Sequence, residues 1–379
     1  MDLRRGWAHT LRRSWAARRA LAVTTTVAGV GLAVIGVLTY ANASTSSTGA
    51  GASDTGTSTS GPATAALAEP PTSSDPSTPG TWLSVGPDET DPFIVLENGV
   101  YSLFTSRAGG GANVPVRAAT IPGHWGPVVD ALPALPAWAQ PGWAWAPDVH
   151  RFGDRYVLYF TTLLRGSSPA TMCIGDAVGT KISGPFVAQP DPFICQRALG
   201  GSIDPRTFVR PDGNAFMLWK SDQNANSSTT PTQIYSQALS PDGLHLLGHA
   251  SAIFAPDEAW QGTVVEAPQL WVAGGNDYLF YSGFWFNQPG YAVGVARCAG
   301  PLGPCADTSP APLLGSNAQG SGPGEESVFS DPKGMWLLYA PFHSWAPQAT
   351  PARPATAVRL GFNSAGVYLA ATPSSPGAI

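Results

Sequence analysis

One short aromatic segment occurs five times along the chain, each time directly after a turn that contains Gly or Asp. Aromatic and β-branched residues bounded by turn residues are typical of β-strands. The copies are Val100-Tyr101-Ser102-Leu103-Phe104, Tyr156-Val157-Leu158-Tyr159-Phe160, Ala215-Phe216-Met217-Leu218-Trp219, Tyr278-Leu279-Phe280-Tyr281 and Met335-Trp336-Leu337-Leu338-Tyr339. Aligned on their aromatic residues, successive copies lie 55, 60, 62 and 58 residues apart. A period of this size indicates one repeated supersecondary unit.

The repeat predicts an all-β fold. Long amphipathic helical periodicity is absent from the repeated region, and the chain's 43 glycines and 37 prolines would interrupt helices. A four-stranded propeller blade takes about 40–50 residues plus its loops. We therefore predict a five-bladed β-propeller over residues 81–379, with a β-sandwich of accidental spacing as the alternative.

The N-terminal region has the features of an export segment. Residues 1–19 contain six arginines and one acid, Asp2, and residues 20–38 are apolar and uncharged. Ala41-Asn42-Ala43 then provides small residues at a suitable cleavage site. Because the apolar run approaches the ~20 residues that span a bilayer, residues 1–43 are predicted to be either a signal peptide or a retained membrane anchor.

Residues 44–80 consist almost entirely of Ser, Thr, Gly, Pro and Ala. Such a segment cannot bury enough apolar surface to fold, so it is predicted to be a disordered linker. The folded domain is then expected to be extracellular or on the outer face of the cytoplasmic membrane, with membrane contact only through the N-terminal segment.

Charge and motifs restrict the possible ligands. Without the charged residues of the first 19 positions, the chain's 20 basic and 25 acidic residues fall to 14 and 24. This acidic balance argues against nucleic acid or anionic lipid as a partner and suits a neutral oligo- or polysaccharide. The phosphate-loop, nucleophile-elbow and zinc-helix motifs are absent from the sequence, so no cofactor and no metal are predicted. We expect a monomer.

Four cysteines lie within the predicted propeller. An even number on the exported side of a membrane favours two disulfides, with free buried thiols as the alternative. Of the three possible pairings we favour Cys173–Cys195 with Cys298–Cys305, because each closes a short local loop.

A second short strand carrying an acidic residue is predicted before each aromatic strand. In a propeller the innermost strand of each blade lines the central channel, so these acids are expected to form a ring at the channel mouth. The segments are Asp91-Pro92-Phe93-Ile94-Val95, Trp145-Ala146-Pro147-Asp148-Val149, Ile203-Asp204-Pro205-Arg206-Thr207-Phe208, Glu266-Ala267-Pro268-Gln269-Leu270 and Glu325-Glu326-Ser327-Val328-Phe329.

Converging carboxylates cannot all remain ionised at their usual pKa values, because repulsion and burial raise some of them. Hydrolysis of a glycosidic bond needs two carboxyl groups in different protonation states, one a protonated acid and the other its ionised partner. A separation of about 6.5–9.5 Å between the two suits a base that activates water, and about 5–5.5 Å suits a nucleophile. Acids on opposite sides of a channel favour the wider separation and therefore inversion of the anomeric centre.

Four of these segments, taken in chain order, resemble the blade-start motifs of glycoside hydrolase family 43, which contains five-bladed propellers acting as β-xylosidases, α-L-arabinofuranosidases and arabinanases. The resemblance covers about residues 81–362 and implies roles for three carboxylates. Asp91 would be the general base, Glu266 the general acid, and Asp204 would orient that acid and keep its pKa raised. We expect Asp148 to make structural hydrogen bonds instead. The matching motifs are Asp-Pro-Phe-Ile at 91–94, Trp-Ala-Pro-Asp-Val at 145–149, Ile-Asp-Pro at 203–205 and Glu-Ala-Pro at 266–268.

One segment departs from the family pattern. Gly322-Pro323-Gly324-Glu325 carries an acid where family members often have a histidine that helps to hold a metal ion or water, so the resemblance does not carry over an ion site. His343 resembles the histidine of the family's His-Ala-Trp segment, and Arg353 is a candidate for its active-site arginine.

Two aromatic residues flank acid-bearing segments and are candidate sugar platforms, namely Trp145 and Trp285. The sequence therefore predicts an inverting glycoside hydrolase acting on arabinofuranoside or xyloside linkages. The alternative is a catalytically silent propeller that binds polysaccharide at the cell surface, because a fold by itself does not establish a function.

Overall fold

The computed structural model describes residues 90–106, 111–317, 320–342 and 353–370. These residues form five antiparallel four-stranded sheets, each built from strands that are consecutive in the chain. We number the sheets blade 1 to blade 5 in chain order. The predicted export segment 1–43, the predicted linker 44–80 and His343 lie outside the described residues. Within the described part of the chain, no helix has the length and apolar character needed to cross a membrane.

The twenty strands of these sheets occupy four equivalent positions in each of blades 1 to 5. The first strands are β1 (Phe93–Glu97), β5 (Ala139–Phe152), β9 (Ser202–Val209), β13 (Val265–Ala273) and β17 (Ser327–Asp331). The second strands are β2 (Val100–Phe104), β6 (Arg155–Leu164), β10 (Ala215–Ser221), β14 (Asn276–Gly283) and β18 (Gly334–Tyr339). The third strands are β3 (Pro115–Ala119), β7 (Met172–Gly179), β11 (Ile234–Leu239), β15 (Ala292–Cys298) and β19 (Thr356–Asn363). The fourth strands are β4 (Val129–Asp130), β8 (Val187–Ala188), β12 (Leu246–Phe254), β16 (Cys305–Asp307) and β20 (Gly366–Leu369).

In the described part of the chain, short 3-10 helices lie in the connections between strands, and they span Arg197–Leu199, Gln223–Ala225 and Ala259–Gln261.

The first strands form the inner ring of the molecule. Each of them contacts the first strands of both neighbouring blades, and blade 5 contacts blade 1 in the same way. The apolar core is divided into five clusters, each between two adjacent blades. This arrangement confirms the predicted five-bladed β-propeller and excludes the sandwich.

The aromatic repeat owes its composition to its position between two interfaces. Side chains alternate across a strand, so successive residues of a second strand face opposite neighbours. In β6, Leu158 and Phe160 pack in the cluster shared with blade 1. Val157 and Tyr159 of the same strand pack in the cluster shared with blade 3. Both faces of the strand are therefore buried, which explains why apolar and aromatic residues occupy nearly every position.

Blades 1 and 5 close the ring by side-chain packing, because neither sheet borrows a strand from the other. Leu103 of blade 1 packs in the same cluster as Phe329 and Leu338 of blade 5. Hydrogen bonds between described residues also cross this interface. The Ser327 hydroxyl donates to the Pro92 carbonyl at 2.8 Å, and the Tyr101 hydroxyl donates to Asp331 at 3.0 Å.

The favoured disulfide pairing is confirmed. Cys173 in β7 is bonded to Cys195 in the connection that follows blade 2. Cys298 and Cys305 face each other across β15 and β16 and are bonded as well. Both bridges are local, so they hold strand ends together within or beside a blade and do not close the ring.

We predict that Leu338→Ala lowers the free energy of unfolding by about 2–5 kcal/mol, because it opens a cavity in the interface that closes the ring. Leu338 is fully buried there. The matched control is Leu302→Ala, since Leu302 is 44% exposed and its truncation should change stability by less than about 0.5 kcal/mol. Urea unfolding measures both variants, and equal effects would contradict the assigned closure interface.

Candidate active site

A β-bulge occurs in the middle of β5 and near the start of β9 and β13. In each case two residues of the inner strand lie opposite one residue of the second strand, at 146–147, 204–205 and 267–268. The first residue of each pair has a positive φ, and Asp91 and Glu325 adopt the same conformation in blades 1 and 5. Bulges beside active sites commonly re-aim side chains, and positive φ is unusual for residues other than Gly.

Proline follows the positive-φ residue in four of the five blades, and Glu326 takes that place in blade 5. Proline cannot donate a ladder hydrogen bond and is tolerated at a bulge, where the ladder is already interrupted. The Asp-Pro and Ala-Pro motifs of the sequence therefore encode the bulge itself.

The acids occupy different positions relative to the bulges. Asp91, Asp204 and Glu325 occupy the first bulge position of their blades. Glu266 lies one residue earlier, directly before Ala267. Asp148 lies two residues later than the bulge position of blade 2. The acids do not share one register, because an alignment on composition does not locate the extra residue that a bulge inserts.

Four carboxylates from four blades form one electrostatic cluster. Burial raises the pKa of Asp204 to about 7, and repulsion from Glu266 and then Asp91 acts in the same direction. The Lys220 ammonium and a backbone hydrogen bond oppose this rise. Burial also raises the pKa of Glu325 well above its usual value, with further repulsion from Asp91, Glu266 and Asp204. The site therefore favours protonated carboxyl groups at neutral pH.

Asp91 is held by a neighbouring serine. The Ser106 hydroxyl donates a short hydrogen bond to Oδ2 of Asp91. The same hydroxyl accepts the backbone N–H of Ala146 in blade 2 at 2.8 Å. Ser106 thus fixes the carboxylate and links it to the bulge of the next blade.

Asp204 and Glu266 are held together on blades 3 and 4. The backbone N–H of Ala267 donates to Oδ2 of Asp204 at 3.0 Å. Glu266 is only 5% exposed, and its Oε2 lies 3.2 Å from Nζ of Lys220. Burial opposes the charge of Lys220, but Glu266, Asp222 and Asp204 raise its pKa above the usual value. The lysine therefore remains a buried cation among these carboxylates.

Glu325 and Glu326 replace the usual bulge pair in blade 5. The Tyr291 hydroxyl donates to Oε1 of Glu325 at 2.9 Å, and the N–H of Glu325 donates to the Ser282 hydroxyl at 2.9 Å. That hydroxyl donates in turn to Oε2 of Glu326. Burial raises the pKa of Glu326 to about 8.

These residues do not fit a resident metal ion. Glu325 accepts the Tyr291 hydroxyl, and its environment favours the neutral acid, which is a poor ligand. Across 90–106, 111–317, 320–342 and 353–370, no group of three or more His, Cys, Asp or Glu side chains is arranged to hold a metal.

Asp148 makes structural contacts deeper in the inner ring, as expected. It accepts the backbone N–H of Thr207 at 2.9 Å, and its Oδ1 lies 3.6 Å from Nη1 of Arg206. The guanidinium of Arg206 also lies 4.6 Å from the ring centroid of Phe93 in blade 1. Asp148 therefore joins blades 2 and 3 beneath the carboxylate cluster.

The two predicted platforms are both at least partly exposed. Trp145 is 36% exposed, and its ring centroid is 5.2 Å from that of Trp143. Its backbone pairs with Thr161, whose hydroxyl accepts the N–H of Asp204 at 3.1 Å. Trp285 is partly exposed in the loop after β14, where its carbonyl accepts the N–H of Gln288.

Arg353 is buried beside Glu325 and acts on its charge. Its Nε and Nη2 donate to the Ala340 carbonyl at 3.1 and 2.8 Å. The guanidinium lies 4.8 Å from the ring centroid of Phe342 and 5.8 Å from that of Tyr291. The residue thus borders the carboxylate cluster, while much of its donor capacity is used by the backbone.

Sequence reasoning missed three groups that shape the site: Lys220, Ser106 and Tyr291. Lys220 had a detectable signal, since it is a basic residue directly after the aromatic strand Ala215–Trp219 and immediately before the polar Ser221-Asp222 pair. Ser106 and Tyr291 had none, because each acts on a carboxylate from another segment of the chain.

The geometry defines an all-β propeller whose inner strands deliver several carboxylates to one site. Residues 84–367 match the sequence profile of glycosyl hydrolases family 43. The chain therefore belongs to this family and is a glycoside hydrolase.

Individual relatives agree with this assignment. A probable arabinan endo-1,5-alpha-L-arabinosidase A from Aspergillus flavus is 24% identical over 280 residues, which cover 66% of this chain and 80% of that protein. The crystal structure of a thermostable family-43 glycoside hydrolase has a TM-score of 0.66 and 24% identity, and the match covers 76% of this chain and 95% of that one. An exo-1,5-alpha-L-arabinanase from a bovine ruminal metagenomic library has a TM-score of 0.60 and 18% identity, over 75% of this chain and 97% of that one.

We predict that Asp204→Asn becomes more stable relative to the wild type as the pH rises. The folded-state pKa of Asp204 is raised from 3.8 to about 7, so its protonated form stabilises the native state below pH ~4. That contribution is lost between about pH 4 and 7 in the wild type and is absent from the variant. Urea unfolding across this range measures the difference.

The control for this experiment is Asp154→Asn, because the Asp154 side chain is 95% exposed. Its stability difference from the wild type should change little with pH over the same window. Parallel stability curves for Asp204→Asn and the wild type would contradict the assigned environment of Asp204.

Proposed function

We propose that this enzyme hydrolyses glycosidic bonds in pentose-containing glycans with inversion of the anomeric centre, and that arabinan is its preferred substrate. The observation that carries the proposal is the convergence of Asp91, Asp204 and Glu266 from three blades into one interacting cluster. Carboxylates with divided protonation states are what this reaction requires.

Each carboxylate has a distinct role in the proposed reaction. Glu266 donates a proton to the glycosidic oxygen as its bond to the anomeric carbon breaks. Asp91 removes a proton from the water whose oxygen forms the new bond to that carbon. The products are a free reducing sugar and a free alcohol, and both carboxyl groups regain their starting states by proton exchange with solvent.

Asp204 supports the acid in this scheme. Two interacting carboxyl groups share protons as a pair, and repulsion between them favours retention of one proton at neutral pH. Asp204 and Glu266 form such a pair, because Asp204 is bonded to the N–H of Ala267, the residue that follows Glu266. A proton is thus available beside the leaving group while Asp91 lies on another blade.

The ring topology supports inversion. Asp91 begins blade 1 and Glu266 lies in blade 4, and blade 5 separates these two blades on the shorter path around the ring. A base and an acid on non-adjacent blades leave room for a water molecule on the face of the sugar opposite to the leaving group.

The choice of arabinan draws on the relatives. The names of the Aspergillus protein and the ruminal enzyme both specify 1,5-linked arabinose polymers. The exposed Trp145 and the partly exposed Trp285 offer apolar faces on which a furanose ring can pack. Xylan is the second substrate class to test, since an endo-1,4-beta-xylanase structure from Bacteroides thetaiotaomicron is also similar, with a TM-score of 0.62.

We predict that Asp91→Asn and Glu266→Gln each lower kcat/KM for arabinan by about 10²–10⁴-fold, which is the range supplied by a general acid or base. Asp154→Asn serves as the surface control and should retain wild-type activity. Circular dichroism and urea unfolding verify that each variant folds. Full activity in either active-site variant would refute its assigned role, and tight arabinan binding by an inactive wild-type protein would favour the silent binding propeller.

We predict that the first product formed from α-linked arabinan is β-L-arabinofuranose at the new reducing end. Direct attack by water from the opposite face inverts the anomeric centre in a single displacement. Proton NMR during the first minutes of hydrolysis, before mutarotation, identifies the anomer. An initial α-anomer would show retention and would require a nucleophilic carboxylate in place of the proposed base.

A further inference from the structure

Lys220 lies at a position of the second strand that usually carries a hydroxyl group. In each blade this position pairs with the inner-strand residue just before the positive-φ residue. From blade 1 to blade 5 the residues at this position are Ser106, Thr161, Lys220, Ser282 and Ala340.

The hydroxyl groups at this position bind the bulge of the next blade. Ser106 accepts the N–H of Ala146 at 2.8 Å, and Thr161 accepts the N–H of Asp204 at 3.1 Å. Ser282 accepts the N–H of Glu325 at 2.9 Å. One interaction thus recurs at three of the five blade interfaces, always between the second strand of one blade and the first bulge residue of the next.

Blades 3 and 5 depart from this rule: blade 5 carries Ala340, and blade 3 carries a charged residue within the carboxylate cluster. Lys220 has no hydroxyl, and the bulge N–H of blade 4, from Ala267, donates to Oδ2 of Asp204 instead. The lysine side chain reaches the next blade as well, but there it contacts a carboxylate. Its Nζ lies 3.2 Å from Oε2 of Glu266 and 3.5 Å from Oδ1 of Asp222.

Burial of the Lys220 ammonium group is energetically costly. Its side chain is 1% exposed, and a buried cation is tolerated only when its charge is paired. Neutral residues occupy the same position in the other blades, three of them with a hydroxyl group and the fourth an alanine, so packing does not require a charge there. The positive charge of Lys220 is paired with carboxylates of the site, and the nearest of them is Glu266.

We propose that Lys220 is a positioning residue for the acid catalyst, which holds Oε2 of Glu266 by a buried salt bridge and leaves Oε1 to carry the proton to the glycosidic oxygen. This inference rests on the proposed role of Glu266. Without the lysine, the Glu266 carboxyl group would be free to rotate, and either oxygen could hold the proton.

The lysine also balances the charge of the cluster. Acidic groups face Lys220 and Glu266 from blades 1, 3, 4 and 5, and the cation opposes the repulsion among them. The titratable groups that face the pair are Asp91, Asp204, Asp222, Tyr291, Glu325 and Glu326. Removal of the cation must therefore increase the proton affinity of the cluster, since Lys220 opposes the rise in the pKa of Asp204.

Lys220→Met tests this role, because methionine keeps the chain length and removes the charge. We expect kcat to fall about ten- to a hundredfold, less than the ~10²–10⁴-fold loss of the acid itself, with KM close to that of the wild type. The alkaline limb of the kcat/KM profile should move to higher pH, because the cluster of carboxyl groups loses the cation that opposes its protonation. Lys181→Met is the matched control at an exposed lysine and should leave the profile unchanged.

Asp222→Asn provides the opposite perturbation and covers the case in which Lys220→Met does not fold. Asp222 shares the lysine with Glu266, so its neutralisation strengthens the remaining pair. The alkaline limb should then move to lower pH. Lys220→Arg retains the charge and should keep the alkaline limb near that of the wild type.

The outcomes separate this inference from the proposed function. If Glu266→Gln is inactive while Lys220→Met and Asp222→Asn leave the alkaline limb unshifted, the positioning role is overturned and the acid assignment survives. If Lys220→Met does not fold, an unshifted limb in Asp222→Asn alone overturns the inference. Full activity in Glu266→Gln overturns both.

Discussion

Side chains of the second strand in each blade alternate between two apolar interfaces, and this alternation holds the five sheets in a ring. Leu279 and Tyr281 of blade 4 pack toward blade 3, whereas Tyr278 and Phe280 pack toward blade 5. Because every blade is bound on both sides in this way, its inner strand is fixed relative to the two neighbouring inner strands. The site needs such a scaffold, since its carboxylates come from blades far apart in sequence.

The bulges convert this scaffold into a site. A regular inner strand would direct its residues alternately toward the two adjacent blades, where a carboxylate would be buried in apolar packing. The positive-φ residue interrupts that alternation at Asp91, Asp204 and Glu325. A strained residue of this kind costs on the order of 1–3 kcal/mol and persists when the surrounding structure enforces it. At Asp204 and Glu325 the enforcing contacts are the hydrogen bonds that their N–H groups donate to the hydroxyls of Thr161 and Ser282 in the preceding blade.

Electrostatics then divide the carboxylates into groups with different protonation states. Burial raises the pKa of Asp204 to about 7, and the neighbouring Glu266 adds to the rise. Lys220 is a buried cation that contacts Glu266 directly. Neutral hydrogen-bond donors hold two other carboxylates, Ser106 for Asp91 and Tyr291 for Glu325. The carboxyl group thus occurs in four local environments, and for three of them the partner comes from an adjacent blade.

The sequence by itself determined the repeat, the number of blades, the disulfide pairing and the acid-bearing segments, because strand periodicity and turn residues are local properties. It did not show that Glu266 lies one position before the bulge residue that Asp91 and Asp204 occupy, since composition does not reveal where a bulge adds a residue. Only the tertiary structure paired Lys220 with Glu266, and Ser106 with Ala146 across 40 positions. Those contacts form between neighbouring blades, and their geometry is decided when the apolar interfaces bring the blades together.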